Sequence, residues 1–84
     1  MQQDALIINK LGLHARASAK LTQLASSFKC DVMLSRNNRR VNAKSIMGVM
    51  SLVIPHGALI TLRASGSDGD QAVERLAVMV MKEE

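Results

Sequence analysis

The chain has 84 residues, with 11 Lys and Arg against 7 Asp and Glu, so its formal net charge is +4 and one small domain over residues 1–84 is expected. Hydrophobic residues make up 48% and charged residues 21%, a balance typical of a packed core and unlike that of a disordered chain. One Cys excludes an intramolecular disulfide, and scattered with two His it offers no metal-ligand spacing, so we expect no metal.

The longest nearly apolar run, Ile46 to Ile54, is interrupted by Gly48 and Ser51. It is far shorter than the roughly 20 apolar residues that cross a bilayer, so we expect no insertion into a membrane. The first residues lack the basic and apolar regions of a secretory signal. Together with the single thiol, these features predict a cytoplasmic protein.

A strand and a helix are predicted at the start of the chain. The apolar residues within Asp4–Asn9 indicate a short strand, which Gly12 ends. From Ala15 to Phe28, apolar side chains recur at helical spacing and predict a helix. Its buried stripe consists of Ala17, Leu21, Leu24, Ala25 and Phe28.

A hairpin and a short helix follow. Alternating residues around Val32–Leu34 and Val41–Ala43 predict two strands, joined at Asn37–Asn38 because Asn tolerates the left-handed backbone of a tight turn. Ser45 is a candidate N-cap of the next helix, which Pro55 keeps short. The apolar positions of that helix are Ile46, Val49, Met50 and Val53.

The chain ends with a strand and a helix in this prediction. Residues Ala58–Ala64 alternate in polarity, as a strand with one buried face should. After a turn, Asp68 is expected to cap the last helix, with Gln71 completing a capping box. The buried stripe of this helix is Val73, Leu76, Ala77 and Val80. The order βαββαβα predicts an α+β fold with a four-stranded, mainly antiparallel sheet covered on one face by three helices.

The segment from Asn9 to Arg16 carries the most specific signal. It reads Asn-Lys-Leu-Gly-Leu-His-Ala-Arg, and its Gly-x-His-Ala-Arg part resembles the phosphorylation-site segment of HPr, the histidine-containing phosphocarrier family of the bacterial PEP-dependent phosphotransferase system. A second segment, Lys44–Leu52, resembles the regulatory serine segment of that family at the expected spacing. The resemblance covers nearly the whole chain and implies an open-faced sandwich. One departure is Ala17, where the family often has Pro.

The resemblance implies a covalent phosphocarrier rather than an enzyme. His14 would accept a phosphoryl group from phospho-Enzyme I on Nδ1, the pros nitrogen, and pass it to an Enzyme IIA component. We expect a monomer that binds no cofactor of its own, since Mg²⁺ and PEP are needed by Enzyme I. The phosphoryl group would support sugar uptake or regulation.

The residues around His14 also suit phosphate chemically. His14 directly precedes a predicted helix, whose first unpaired N–H groups, at Ala15, Arg16 and Ala17, attract anions together with the helix dipole. Arg16 adds a permanently charged, planar array of donors. A lone His before a helix is most often only a polar cap residue, but its surrounding motif favours a nucleophile that holds a phosphoryl group.

Partner contacts and regulation are expected on neighbouring residues. Ser45 is a candidate site for HPr kinase/phosphorylase as well as an N-cap, and a phosphate there would add charge to the partner surface. Arg16, Lys20 and Met47 are the expected partner contacts. A soft apolar docking patch is predicted from Leu13, Met47, Met50 and Leu52, although Ile46 and Met50 could equally belong to the core.

Two other functions compete with this interpretation. A basic cluster of Arg36, Arg39, Arg40 and Lys44 surrounds the hairpin, as in some nucleic-acid-binding proteins. Because the only aromatic residue, Phe28, lies on a core stripe, we expect no nucleic-acid partner and read the cluster as a solvated face or as steering toward acidic partners. The other function is an adaptor that reports the phosphorylation state of His14 to regulatory proteins. Ala17 and the Asn-Lys-Leu-Gly start resemble the nitrogen-related branch, whereas the Ser45 segment resembles the sugar branch.

Two further residues receive structural predictions. Cys30 is expected to be an inert, small hydrophobic side chain. His56, between Pro55 and Gly57, is expected in a solvated turn.

Overall fold

A computed structural model describes residues 1–82, and its seven elements follow the predicted order βαββαβα. Their bounds are β1 Gln2–Leu6, α1 Ala15–Ser26, β2 Asp31–Arg36, β3 Arg39–Asn42, α2 Ile46–Ser51, β4 Leu59–Ser65 and α3 Gly69–Val80. The expected domain over residues 1–84 ends two residues beyond the described part of the chain. Within residues 1–82, no helix is long and apolar enough to cross a membrane.

The four strands form one antiparallel sheet in the order β1-β4-β2-β3, which confirms the predicted fold class. Along β4, Ile60, Leu62 and Ala64 are buried while Leu59 and Arg63 on the opposite face are exposed. This alternation shows that the helices cover one face of the sheet and leave the other open.

The core lies between that covered face and the three helices. Its largest fully buried apolar side chains are Ile7, Leu21, Val32, Leu34, Val49, Ile60, Leu62 and Leu76. Each such side chain stabilises the fold by about 1.5–3 kcal/mol relative to an exposed position. The predicted stripe of α3 is buried at all four positions.

Several element boundaries differ from the prediction: β4 is shifted by one residue, and α2 ends at Ser51, so the predicted helical position Val53 lies beyond it. The largest differences are in β1 and α1. Strand β1 covers Gln2–Leu6 rather than Asp4–Asn9, because pairing partners on β4 set its extent: Gln2 pairs with Arg63, and Leu6 pairs with Leu59 where β4 begins. Helix α1 ends at Ser26, before the buried Phe28, and the hydroxyl of Ser27 donates to the carbonyl oxygen of Leu24 at 2.6 Å.

The hairpin turn follows the prediction. Asn37 and Asn38 have φ values of 52° and 67°, so both lie in the left-handed region that a two-residue type I′ turn requires. Ser45 also caps α2 as predicted, because its Oγ accepts the backbone N–H of Gly48 at 3.2 Å.

The capping box predicted at Asp68 is wrong. Asp68 precedes α3, but its carboxylate makes no capping hydrogen bond and instead accepts the backbone N–H groups of Lys29 at 2.9 Å and Cys30 at 3.0 Å. The N–H of Lys29, followed by the thiol of Cys30, lowers the pKa of Asp68. Burial, and then the Asp68 carboxylate, raise the pKa of the Cys30 thiol.

Candidate functional site

His14 is the N-cap residue of α1. Its backbone is extended, with φ −72° and ψ −179°, and its imidazole makes no capping hydrogen bond. The first hydrogen bond of the helix runs from the N–H of Ser18 to the carbonyl oxygen of His14, at 2.8 Å. The N–H groups of the preceding three residues, Ala15, Arg16 and Ala17, therefore have no acceptor within the helix. An anion beside the imidazole would meet these donors.

The side chains of that first turn differ in their surroundings. Arg16 is exposed two residues beyond His14, and Lys20 is exposed one turn further along α1. Ala15 is exposed, whereas the methyl group of Ala17 packs into the core. At Ala17 only the backbone is available to a phosphoryl group, while Arg16 offers both its backbone and its guanidinium.

The chain leading into His14 is held close to the segment after α2. The N–H of Leu13 donates to the carbonyl oxygen of Ile54 at 2.8 Å. Gly12 has φ +68°, and a Cβ at that position would overlap the carbonyl oxygen of Ile54 and the backbone of Pro55. Glycine is thus required both for the turn and for the close approach of two backbones.

A shallow groove of about 350 Å³ lies beside His14. Besides the imidazole, its walls are apolar and consist of Leu11, Leu13, Met50, Val53, Ile54 and Pro55. The rim is strongly exposed, since Leu11 keeps 75% and Val53 keeps 76% of its accessible surface. Exposed apolar surface next to a reactive group is typical of a protein-binding site.

The docking patch predicted from the sequence is only half right. Met47 and Met50 are exposed, but Leu13 and Leu52 are buried and belong to the core. Ile46 is also exposed, so the core alternative for Ile46 and Met50 is wrong.

Leu11 and Val53 belong to the exposed apolar surface beside His14 in addition to Met47 and Met50. The sequence analysis did not assign these two residues to the docking patch. Val53 faces outward because its φ of 48° turns the chain just after α2, and this conformation is unfavourable for a β-branched residue.

Ser45 begins the same short helix whose end borders the groove. Its side chain is half-buried, and its Oγ is engaged as the N-cap acceptor. Val53 and Ile54 follow the other end of α2, so one helix of six residues connects the candidate regulatory serine to the groove beside His14.

The basic cluster of the hairpin is largely bound to backbone carbonyls. Arg36 donates to the carbonyl oxygen of Val53 at 3.4 Å, and Arg39 donates to that of Ser51 at 3.3 Å. Lys44 Nζ donates to the carbonyl oxygen of Phe28 at 2.8 Å. These bonds connect the hairpin to the segment around the end of α2 and to the end of α1, while Arg39 and Arg40 remain exposed to solvent.

No group of three or more His, Cys, Asp or Glu side chains within residues 1–82 is arranged to hold a metal ion. His56 lies in an exposed turn, as predicted. Cys30 is buried.

The sequence analysis missed two polar residues that contribute to the site. Asn9 was assigned to the end of a strand, but its side chain is buried and its Oδ1 accepts the N–H of Leu11 at 3.1 Å. Ser18 is fully buried, and its Oγ donates to the carbonyl oxygen of Leu13 at 3.0 Å. A signal was present for Ser18, since it is a polar residue next to Ala17 on the buried face of the predicted helix.

Comparison with known proteins finds relatives over most of the chain. The family model described as the PTS HPr component phosphorylation site matches residues 1–82. Phosphocarrier protein HPr of Cupriavidus necator is 55% identical over 80 residues, which cover 95% of this chain and 90% of the relative.

Two crystal structures show the same fold. HPr-C-His from Thermoanaerobacter tengcongensis superposes with a TM-score of 0.92 at 40% identity, covering 95% of this chain and 90% of the other. HPr of Bacillus anthracis superposes with a TM-score of 0.92 at 42% identity, covering 95% of each chain.

The fold, the position of His14 and these matches define a phosphocarrier, a kind of protein that is not a catalyst in its own right. The chain belongs to the HPr family of the phosphotransferase system.

Proposed function

We propose that this protein carries a phosphoryl group on His14, accepting it from phospho-Enzyme I and donating it to an Enzyme IIA. The observation that carries the proposal is the place of His14 at the N-cap of α1, beside the N–H groups of Ala15, Arg16 and Ala17 that have no acceptor within the helix. The family model that matches residues 1–82, His14 among them, is described as the PTS HPr component phosphorylation site, which supports the proposal.

The chemistry requires no group beyond the imidazole and its surroundings. In the first step, the lone pair of Nδ1 of neutral His14 attacks the phosphorus, and the bond between phosphorus and the donor atom of Enzyme I breaks. In the second step, a nucleophile of Enzyme IIA attacks, and the bond between phosphorus and Nδ1 breaks. For the lone pair of Nδ1 to be available, the ring proton has to be on Nε2.

The first turn of α1 would stabilise the charge of the transferring group. Phosphoryl transfer passes through a loose transition state, so positioning and electrostatics dominate its rate. The N–H groups of Ala15, Arg16 and Ala17 supply donors at the positive end of the helix dipole, and the exposed Arg16 supplies a guanidinium.

Enzyme I and Enzyme IIA would use the same surface in turn, because both have to reach one imidazole. We infer that they contact the groove beside His14 together with Arg16, Lys20 and Met47. All three of these residues are exposed. A monomeric, cytoplasmic carrier suits this exchange, since a permanent partner on this surface would block the second step.

The proposal is tested by the intact mass of the protein after incubation with Enzyme I, Mg²⁺ and PEP. His14→Ala removes the nucleophile, and His56→Ala is the matched control because His56 is the second of the two histidines and lies in an exposed turn. We expect one acid-labile phosphoryl group on the wild type and on His56→Ala, and none on His14→Ala. Phosphorylation of His14→Ala, or no transfer from an Enzyme I that is active on another HPr, would overturn the proposal.

Phosphorylation of Ser45 by HPr kinase/phosphorylase is proposed as a regulatory step. A phosphate brings a charge of about −1.5 to −2 to the start of α2, on the helix that carries Met47 and Met50. The charge would weaken docking of Enzyme I while α2 stays folded. We expect Ser45→Asp to raise the KM of Enzyme I for this protein and Ser45→Ala to leave it near the wild-type value.

The destination of the phosphoryl group separates the two branches of the family. Rapid transfer to an Enzyme IIA of a sugar transporter would place the protein in sugar uptake. Transfer restricted to a nitrogen-related Enzyme IIA would indicate a regulatory adaptor that reports the phosphorylation state of His14.

A further inference from the structure

The described residues bury two polar side chains, Asn9 and Ser18, with 6% and 0% of their surface exposed. Both form hydrogen bonds with the backbone that leads into His14. We propose that Ser18, assisted by Asn9, is a positioning residue that fixes the backbone of His14 for phosphoryl transfer. This inference rests on the proposed function of His14.

Ser18 binds the peptide groups on both sides of the His14 Cα. Its Oγ donates to the carbonyl oxygen of Leu13, which belongs to the peptide before His14, at 3.0 Å. Its backbone N–H donates to the carbonyl oxygen of His14, which belongs to the peptide after it, at 2.8 Å. With both peptide planes held by one residue, the φ and ψ angles of His14 are fixed, and with them the direction of its Cα–Cβ bond.

The hydrogen bond of Ser18 is unusual for a serine inside a helix. Such a hydroxyl commonly bonds to the carbonyl oxygen four residues earlier, which here would be that of His14. The acceptor is instead the carbonyl oxygen five residues earlier. The extended backbone of His14 at the N-cap, with ψ −179°, brings that oxygen within reach. The contact therefore depends on the same conformation that presents the imidazole.

Asn9 holds the far end of the same segment. Its Oδ1 accepts the N–H of Leu11 at 3.1 Å, and its own carbonyl oxygen accepts the N–H of Gly12 at 2.9 Å. Together with the bond from Leu13 to Ile54, these contacts hold the segment from Asn9 to His14 at its start, middle and end. A rigid loop matters here because misplacement of a reacting group by about 1 Å can slow a reaction by about 10²-fold.

Helix stability alone does not require a hydroxyl at position 18. Ala has a higher helix propensity than Ser, and a buried hydroxyl is unfavourable unless it is hydrogen-bonded. The position lies on the buried face of α1 beside Ala17, where a methyl group would pack without a polar partner. The hydrogen bond from Ser18 Oγ to the peptide between Leu13 and His14 accounts for a hydroxyl at this buried position.

The test uses Ser18→Ala, with Ser26→Ala as the matched control because Ser26 is an exposed serine of the same helix. Enzyme I is assayed with PEP and each protein as phosphoryl acceptor, at a temperature where circular dichroism shows all proteins to be folded. We expect Ser18→Ala to lower kcat roughly tenfold with KM within about twofold of the wild type, since the docking surface is unchanged while the nucleophile is misplaced. Ser26→Ala should match the wild type in both constants.

A second readout does not depend on phosphoryl transfer. Relaxation-dispersion NMR of the unphosphorylated proteins should show new microsecond-to-millisecond exchange at the amides of Leu13 and His14 in Ser18→Ala and none in Ser26→Ala. The inference would be overturned if Ser18→Ala kept the wild-type kcat and showed no new exchange at these amides. A change in KM without a change in kcat would overturn it as well. If the wild type accepts no phosphoryl group while the NMR difference is present, the proposed function fails and the backbone restraint stands as a structural fact only.

Asn9 is tested by a pair of substitutions that differ in one property. Asn9→Ser keeps a side-chain oxygen that can bond to the N–H two residues on, whereas Asn9→Leu keeps the bulk and loses the acceptor. We expect kcat to fall in the order wild type, Asn9→Ser, Asn9→Leu. If the two variants were folded and had equal kcat values, the side-chain acceptor of Asn9 would have no part in positioning His14.

Discussion

The carboxylate of Asp68 accepts the backbone N–H of Cys30 at 3.0 Å, across 38 residues of sequence. Its second oxygen accepts the N–H of Lys29 at 2.9 Å, so one side chain at the start of α3 fixes the entry to β2. This contact exists only in the folded protein. Since hydrogen bonds to the ionised form favour ionisation, mainly that from Lys29, the pKa of Asp68 is lower in the folded state.

Stability should therefore depend on pH through Asp68. A carboxyl whose folded pKa lies below its unfolded value of 3.8 stabilises the fold above pH 3.8, and this contribution is lost as the pH falls through the folded pKa. We expect Asp68→Asn to be less stable than the wild type at neutral pH and the difference to shrink in acid. Urea unfolding between neutral and acidic pH measures this, with Asp70→Asn in the first turn of α3 as control. If the difference in stability between the wild type and Asp68→Asn stayed the same in acid, the pH dependence assigned to Asp68 would be wrong.

The hairpin turn offers a prediction on stability. Asn38 has φ 67°, a conformation that costs glycine nothing and favours the Asn-Gly sequence in type I′ turns. Asn38→Gly should stabilise the protein by roughly 0.5 kcal/mol and Asn38→Ala should destabilise it by about 1 kcal/mol. Chemical denaturation gives both values, and an alanine variant as stable as the glycine variant would refute the turn assignment.

Two glycines with positive φ separate backbone strain from steric overlap. Gly57 has φ +85° and open space around a Cβ, whereas a Cβ on Gly12, at φ +68°, would overlap the backbone at Ile54 and Pro55. We expect Gly57→Ala to lower the free energy of unfolding by about 1 kcal/mol and Gly12→Ala to lower it by roughly 3 kcal/mol. Thermal or urea unfolding of the two variants measures both changes. If the two variants lost the same free energy of unfolding, the backbone at Gly12 would not be in close contact with that at Ile54 and Pro55.

Val53 should carry a measurable conformational cost. It combines φ 48° with 76% exposure, so glycine would relieve strain and lose little packing. Val53→Gly is expected to stabilise the protein by about 0.5–1 kcal/mol. The same change at Val78, which is exposed on α3, should destabilise it by about 0.4 kcal/mol through helix propensity. If glycine changed the stability in the same direction at positions 53 and 78, Val53 would not have the left-handed conformation.

Periodicity predicted most of the fold because it depends on local geometry. Ala17, Leu21 and Ala25 of the α1 stripe are buried, and the Asn37–Asn38 turn has the conformation that its composition favours. The bounds of β1 were not predictable in this way. Its polar start, Gln2, is a strand residue only because Arg63 of β4 pairs with it.

The parts of the site that depend on a local motif could be predicted from the sequence. The parts that depend on tertiary contacts could not. His14 at the N-cap of α1 follows from the motif and the helix start. The partner of Ser18 lies outside helical spacing, and the carboxylate of Asp68 bonds to a segment 38 and 39 residues earlier, so neither contact had a sequence pattern. The outward turn of Val53 is likewise a property of the folded backbone.

The central claim is that one nitrogen of His14 holds the phosphoryl group, and heteronuclear NMR of the phosphorylated protein tests it most directly. The protein is labelled with ¹⁵N, phosphorylated by Enzyme I and PEP, and examined for coupling between phosphorus and the imidazole nitrogens. We predict that phosphorus is coupled to Nδ1 of His14, with the imidazole of His56 unchanged. Coupling to His56, or phosphorus on a hydroxyl such as that of Ser45 with both imidazoles unchanged, would contradict the account.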